Sequence, residues 1–110
     1  MISSINYVHI YIISDKQLKK KFKHASDFGI VGCCSLENVK KFKMAIEAHL
    51  QSSSIQVIKG TYRKKSAVHY FNPQTSLNVL FDDNQLFWSG WKLTENQIKH
   101  LIDTGNLGGS

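Results

Sequence analysis

Lys20, Lys21, Lys23 and His24 place three ammonium groups beside one imidazole. On a helix, Lys20, Lys21 and His24 stand at i,i+4 and i,i+3, so they project from a common side, with Lys23 flanking them. Like charge disfavours the imidazolium, which moves the pKa of His24 down from about 6.5 and favours a neutral base near neutral pH. Such a group takes a proton from an attacking hydroxyl or returns one to a leaving oxygen. The lysines beside it suit a dianionic phosphorane, whose charge gathers in the transition state. A surface histidine on a charged helix fits the same spacing.

A second cluster is Phe87-Trp88-Ser89-Gly90-Trp91-Lys92. Strand alternation predicts Phe87, Ser89 and Trp91 on one face, with Leu86, Trp88 and Gly90 on the other. A hydroxyl beside an indole suits a site that hydrogen-bonds a phosphate or ribose and stacks a base; a buried Trp beside a small residue fits equally. His69 shares a strand face with Ala67 and Phe71, as a histidine satisfied by a backbone group or as a second proton-transfer group. His9, His49 and His100 have no charged constellation around them.

Metal-dependent nuclease chemistry needs clustered carboxylates. The chain has eight acidic residues, and only Asp82 and Asp83 are adjacent, in a turn. Phosphoryl chemistry here is therefore expected to be metal-free and without a cofactor, which calls for a ribose 2′-hydroxyl as internal nucleophile and so for RNA. Cys33 and Cys34 are neighbours, a spacing that strains a disulfide and lacks the ligand pattern of a zinc site. Two free thiols are expected.

These residues must be positioned by recognisable elements. Ser14 with Gln17 resembles a capping box, and Leu18, Phe22 and Ala25 recur at helical spacing, predicting a helix near 15–26 closed by Asp27-Phe28-Gly29. Ser35 caps a second helix near 36–51, with Leu36, Val39, Phe42, Ile46 and Leu50 on one stripe. Four strands follow: Ile55 to Tyr62, Ala67 to Phe71, Leu77 to Phe81 and Leu86 to Leu93. The turns between them are Arg63 to Ser66, Asn72 to Thr75 and Asp82 to Gln85. Thr94 caps a short last helix with Ile98, Leu101 and Ile102 inward and Gly105 at its end. The fold class is α+β: N-terminal helices packed on a four-stranded antiparallel sheet, with a short C-terminal helix.

The 110 residues carry 14 basic against 8 acidic side chains, a net charge of +6. With 42 % apolar residues the chain can build a core without disulfides, so one domain spanning 1–110 is expected. Within it, 1–13 reads as an extra edge strand (Ile5 to Ile13) or a linker remnant, and 108–110 as a frayed tail. No run approaches the roughly 18 apolar residues of a membrane span, and a secretory leader is not expected. Most of the cations fall in three groups: Lys16 to Lys23, Lys40 to Lys43, and Lys59 with Arg63, Lys64 and Lys65. Such charge seeks a polyanion. Anionic lipid fits poorly, because the lysine helix has too few bulky apolar residues opposite its charges for stable membrane insertion.

Three stretches in register resemble the colicin D-type tRNase family. They are Lys20-Lys21-Phe22-Lys23-His24-Ala25-Ser26-Asp27-Phe28-Gly29; Ile58-Lys59-Gly60-Thr61-Tyr62-Arg63 with His69-Tyr70-Phe71-Asn72-Pro73; and Ser89-Gly90-Trp91-Lys92-Leu93. The likeness runs from about residue 16 to 107. It implies a barnase/EndoU/colicin/RelE-like architecture and a metal-free endoribonuclease that cuts tRNA in the anticodon loop, leaving 2′,3′-cyclic phosphate and 5′-hydroxyl ends. By position it implies His24 as the catalytic residue, Lys21 and Lys23 as substrate-binding and charge-stabilising groups, and Ser89 and Trp91 as lining the same site. Thr75-Ser76 stands where the family pattern has Thr-Gly, and Trp88 where it has a smaller aliphatic residue.

The resulting expectation is a toxin nuclease with catalytic residues His24, Lys21, Lys23, Ser89 and Trp91. Lys20, Lys59, Arg63, Lys64, Lys65 and His69 are expected to bind substrate, with no metal. The resemblance also implies export within a larger toxin, a colicin or a contact-dependent growth-inhibition protein, and action in the cytoplasm of a target bacterium. An acidic cognate immunity protein is the expected partner of an otherwise monomeric domain. The alternative is a non-catalytic RNA-binding module using the same basic surface.

Overall fold

The structure is a computed structural model that describes residues 10–108. Helix α1 (Asp15–Lys20) is capped by Ser14, whose hydroxyl accepts from Gln17 N. Helix α2 (Leu36–Leu50) is capped in the same way by Ser35 on Asn38 N. Strands β1 (Gln56–Tyr62), β2 (Lys65–Phe71), β3 (Leu77–Phe81) and β4 (Phe87–Lys92) form an antiparallel meander. Helix α3 (Glu95–Thr104) opens on a full Thr94/Gln97 capping box and closes on the left-handed Gly105.

Four features depart from the expectations. The first helix does not run to residue 26: at Lys21 the backbone leaves α geometry, and Phe22–Phe28 continue as a 3-10 helix ending on Gly29. Three residues per turn stack Phe22, Ala25 and Phe28 on one row, and all three join the core. The sheet has five strands rather than four and is mixed, because β5 (Asn106–Leu107) pairs parallel with β1 in the order β4-β3-β2-β1-β5. The register between β3 and β4 slips at Leu80/Phe81: Leu80 faces Ser89, whereas Phe81 faces Phe87. Trp88 is the extra residue of that bulge. Finally, most of the proposed N-terminal strand lies outside the described residues, and what is described is a single parallel bridge, Ile12 to Leu86.

Two cores result, one on each side of the sheet. Leu18, Val39, Phe42 and Ile46 of the helices meet Val79, Phe81 and Phe87 on one face. On the other, α3 brings Leu101 against Tyr62, Phe71, Leu80, Trp91 and Leu93. The bulge therefore corrects the predicted alternation: Phe87 belongs to the first face, while Trp88 and Trp91 both belong to the second. Ser76, at the position where the family pattern has glycine, takes a positive φ of 65°.

Two histidines are part of this frame. His49 Nε2 lies 2.8 Å from Tyr70 O, and His69 Nε2 lies 2.9 Å from Thr61 O, so each ring donates to a carbonyl. Burial lowers both pKa values, partly offset by those hydrogen bonds. The unfolded chain then binds more protons below about pH 6.5. Their contribution to stability is complete above that pH and is lost as pH falls, by at most about 1.4 kcal/mol per pH unit for each residue. The urea midpoint is expected to drop between pH 7.5 and 5.0; an unchanged midpoint would contradict the burial of neutral rings.

Candidate active site

β4 is an edge strand, and its outward backbone groups are taken up in turn by the N-terminal segment. Phe87 N donates to Ile12 O (2.8 Å), Trp88 O accepts from Gln17 Nε2 (2.7 Å), and Lys92 N donates to Asp27 Oδ2 (3.0 Å). These bonds close an edge that would otherwise invite pairing with another chain. They also seat the 3-10 helix along the strand. At period three, Lys21, His24 and Asp27 form one row, anchored at its far end by the Asp27 bond. Gly90 makes a close approach here: a Cβ would stand 3.3 Å from the Phe28 ring and 3.2 Å from Val79 Cγ2, so both side chains would have to shift slightly.

His24 is carried against the β4 indole. The His24 and Trp91 ring centroids are 5.7 Å apart with planes tilted by 32°, and His24 is 9 % exposed. Trp91 is held in turn by Gln97 Oε1, which accepts from Trp91 Nε1 at 3.3 Å and from Thr94 N at 2.9 Å. The α3 capping box thus orients the indole that orients the imidazole. Behind Trp91 lies the fully buried Tyr62, whose ring is 5.8 Å from Trp91 and 4.8 Å from Trp88. The Arg63 guanidinium stands 5.1 Å from the Tyr62 centroid, a cation–π contact.

That contact joins cations far apart in the chain. Lys21 has its pKa lowered by burial first, then by the positive charges of Arg63, Lys23 and Lys20. Lys21, Lys23 and His24 from the helical segment and Arg63 from the β1–β2 hairpin therefore share one electrostatic neighbourhood. Lys20 and Lys65 face a common groove between α1 and that hairpin. Lys59 does not join them; it lines a separate hollow with Val57, Val68 and Tyr70. Lys64 borders another hollow, beside His100 and Asn106.

The hairpin tip is strained. Tyr62 pairs with Lys65, which leaves Arg63-Lys64 as the two-residue turn, with φ of 51° and 69°. A turn of this kind favours Asn-Gly, because both positions are left-handed. Replacing Arg63-Lys64 by Asn-Gly is expected to raise stability by about 1 kcal/mol while weakening RNA binding. A urea melt and an RNA titration on the double variant check both signs; a lower urea midpoint would contradict the strain.

Three expected contacts with substrate are not what the geometry provides. His69 is fully buried, with Nε2 on Thr61 O and Nδ1 3.1 Å from Asn78 Nδ2, so both ring nitrogens are occupied. It is a structural histidine rather than a substrate ligand. Ser89 is likewise 0 % exposed, and its Oγ has no hydrogen-bond partner among the described residues. It cannot reach a phosphate from this position. Trp91, 4 % exposed, supports His24 by packing and leaves no open face for a base. Gln17, Asp27, Tyr62 and Gln97 are not among the site residues the sequence predicts; each acts through a partner distant in the chain or through a local cap doing double duty.

Three carboxylates each hold a hydrogen-bond donor of the fold. Asp82 Oδ1 accepts from Asn84 N and Leu86 N, Asp83 Oδ1 accepts from Ser66 Oγ, and Asp27 holds Lys92 N. Among the described residues no three His, Cys, Asp or Glu side chains gather as a metal site. Cys33 and Cys34 are free and exposed in the loop before α2.

With this geometry in place, comparison with known proteins decides the lineage. The Colicin D family profile matches residues 17–101. This chain belongs to the colicin D family. Colicin-D of Escherichia coli is 50 % identical over 98 residues, covering 86 % of this chain and 14 % of its own length, so the chain spans about one-seventh of that relative. A solved ribonuclease from Escherichia coli, in complex with its inhibitor protein, is 41 % identical with a TM-score of 0.71; the match covers 82 % of this chain and 99 % of that one. The colicin D match includes the whole row Lys21, His24 and Asp27, together with Arg63 and Trp91.

Proposed function

We propose that this domain is a metal-independent endoribonuclease toxin that cuts tRNA in the anticodon loop, leaving 2′,3′-cyclic phosphate and 5′-hydroxyl ends. The observation that carries this reading is His24 held against Trp91, with Lys21 of the helical segment feeling the charge of Arg63 from the β1–β2 hairpin. The imidazole takes the proton of a ribose 2′-hydroxyl. The freed O2′ attacks phosphorus, a P–O2′ bond forms and the P–O5′ bond breaks. Lys21 and Lys23 offset the charge that builds on the phosphorane oxygens. The departing O5′ takes a proton from Lys21, whose depressed pKa makes it a better donor than an ordinary lysine, or from the imidazolium just formed. Arg63, Lys64 and Lys65, exposed on the hairpin, grip the backbone. Asp27, Gln97 and Trp91 fix the row against its strand.

Family membership and the likeness to a ribonuclease bound to its inhibitor support the same reading. The domain would then act as the toxic part of a longer protein, in the cytoplasm of the cell it enters. An acidic immunity protein covering the basic row would restrain it in the producer, its charge speeding association.

Incubation with total tRNA followed by mapping of the new ends tests this. Discrete cuts confined to anticodon loops are expected. Intact tRNA would favour the RNA-binding module, and cuts scattered over all single strands would contradict the choice of substrate.

A further inference from the structure

A groove of about 560 Å³ opens between α1 and the β1–β2 hairpin, with Lys20, the residue before Lys21, on its lining. Its volume lies in the range of small-ligand sites. Lys20 stands on one wall, Lys65 and Ser66 on the other, and the Asp83-Asn84 turn borders it. Trp88 lines the groove and is half-buried between the buried Phe87 and Ser89. The bulge sets it there, its carbonyl is held by Gln17, and Tyr62 meets its ring edge-on at 86°. The indole is therefore fixed before any ligand arrives.

We propose that this groove is a base-recognition subsite for a nucleotide next to the scissile phosphate, in which Trp88 stacks a base that carries an exocyclic amino group. The proposal rests on the ribonuclease reading above. Trp88 lies three residues from Trp91 on β4, at most about 10 Å along the strand, and both indoles join the same core. Lys20 and Lys65 attract the phosphates on either side. The carboxylate of Asp83 repels phosphate, so the base and not the backbone belongs at that end. Asp83 Oδ1 accepts from Ser66 Oγ, and a carboxylate has further acceptor sites for an amino group. Asn84 adds an amide donor and acceptor in the same turn. Adenine, cytosine and guanine offer the amino donor; uracil presents a carbonyl, which a carboxylate disfavours.

Nucleoside 3′-monophosphates of the four bases, titrated into the His24→Ala protein and read by calorimetry, which does not depend on either indole, test the subsite. Binding is expected for A, C and G, with uridine weaker by about five-fold or more. Trp88→Leu should weaken the favoured nucleotides by about ten-fold or more, and Trp88→Phe should restore most of it. Asp83→Asn, an exposed change, should erase the discrimination against uridine. Equal affinities in wild-type and Trp88→Leu protein, or an undiminished bias in Asp83→Asn, would overturn the proposal. Cleavage assays on the same variants separate the two readings. If RNA is cut and Trp88→Leu cuts with unchanged KM and base preference, the subsite fails alone. If nucleotides bind as described but no RNA is cut, the ribonuclease reading fails alone.

Discussion

His24→Gln and His24→Ala are expected to lose RNA cleavage by about 10²–10⁴-fold or more in kcat, while KM and tRNA affinity stay close to wild type. General acid–base catalysis contributes on that scale, and the proposed mechanism assigns the proton abstraction to this imidazole. The ring is 9 % exposed and touches Trp91, so removing it opens a void next to the indole. Glutamine fills more of that space than alanine and separates lost chemistry from lost packing. Affinity persists because Lys20, Lys21, Lys23, Arg63 and Lys65 remain. Binding should weaken with salt equally in wild type and variant, with a slope near −0.7 for each single-strand phosphate contact. Retained cleavage in His24→Gln would remove the imidazole from the mechanism, and a parallel collapse of affinity would make it a binding group instead.

Gly60→Ala is expected to produce the largest loss of stability, about 3 kcal/mol or more, with Tm lower by roughly 10 °C or more. A Cβ on Gly60 would sit 1.7 Å from Gly105 O and 2.5 Å from its carbonyl carbon. Both are backbone atoms with nowhere to move, because Gly105 is the left-handed cap of α3 and its oxygen accepts from Thr61 N at 3.0 Å. Relief means lifting the end of α3 and β5 from β1, which strips Thr61 N and Arg63 N of their partners Gly105 O and Leu107 O. Thermal unfolding of the variant measures this, and a change in Tm of only a degree or two would show that α3 does not dock as described.

Local signals in the sequence carried much of this architecture. Ser14, Ser35 and Thr94 each cap the helix they were expected to cap, and β3 begins and ends where its apolar run does. What escaped was set by tertiary contacts. The change from α to 3-10 geometry at Lys21 depends on Asp27 and Gln17 reaching β4, residues 65 and 71 positions apart in sequence from the groups they bond. The bulge that turns Trp88 toward Trp91 places Phe87 in the helix-facing core, a demand that strand alternation does not contain. A two-residue strand such as β5 has no periodicity to read.

The site divides along the same line. Lys21, His24 and Arg63 were legible as charges, and their convergence follows from the hairpin folding over Tyr62. His69 was legible as an inward residue, but only the strands on either side reveal that Thr61 and Asn78 occupy both its nitrogens. Ser89 and Trp91 share a sheet face as expected, yet their burial makes Trp91 a support for His24 and leaves Ser89 out of reach of a phosphate.

Cleavage of total tRNA in excess EDTA, with both new ends characterised, tests the central claim most directly. Undiminished activity with a 2′,3′-cyclic phosphate on one fragment and a 5′-hydroxyl on the other is the predicted result. Activity that vanishes with the chelator, or a 5′-phosphate on the product, would contradict attack by the ribose hydroxyl under the control of His24.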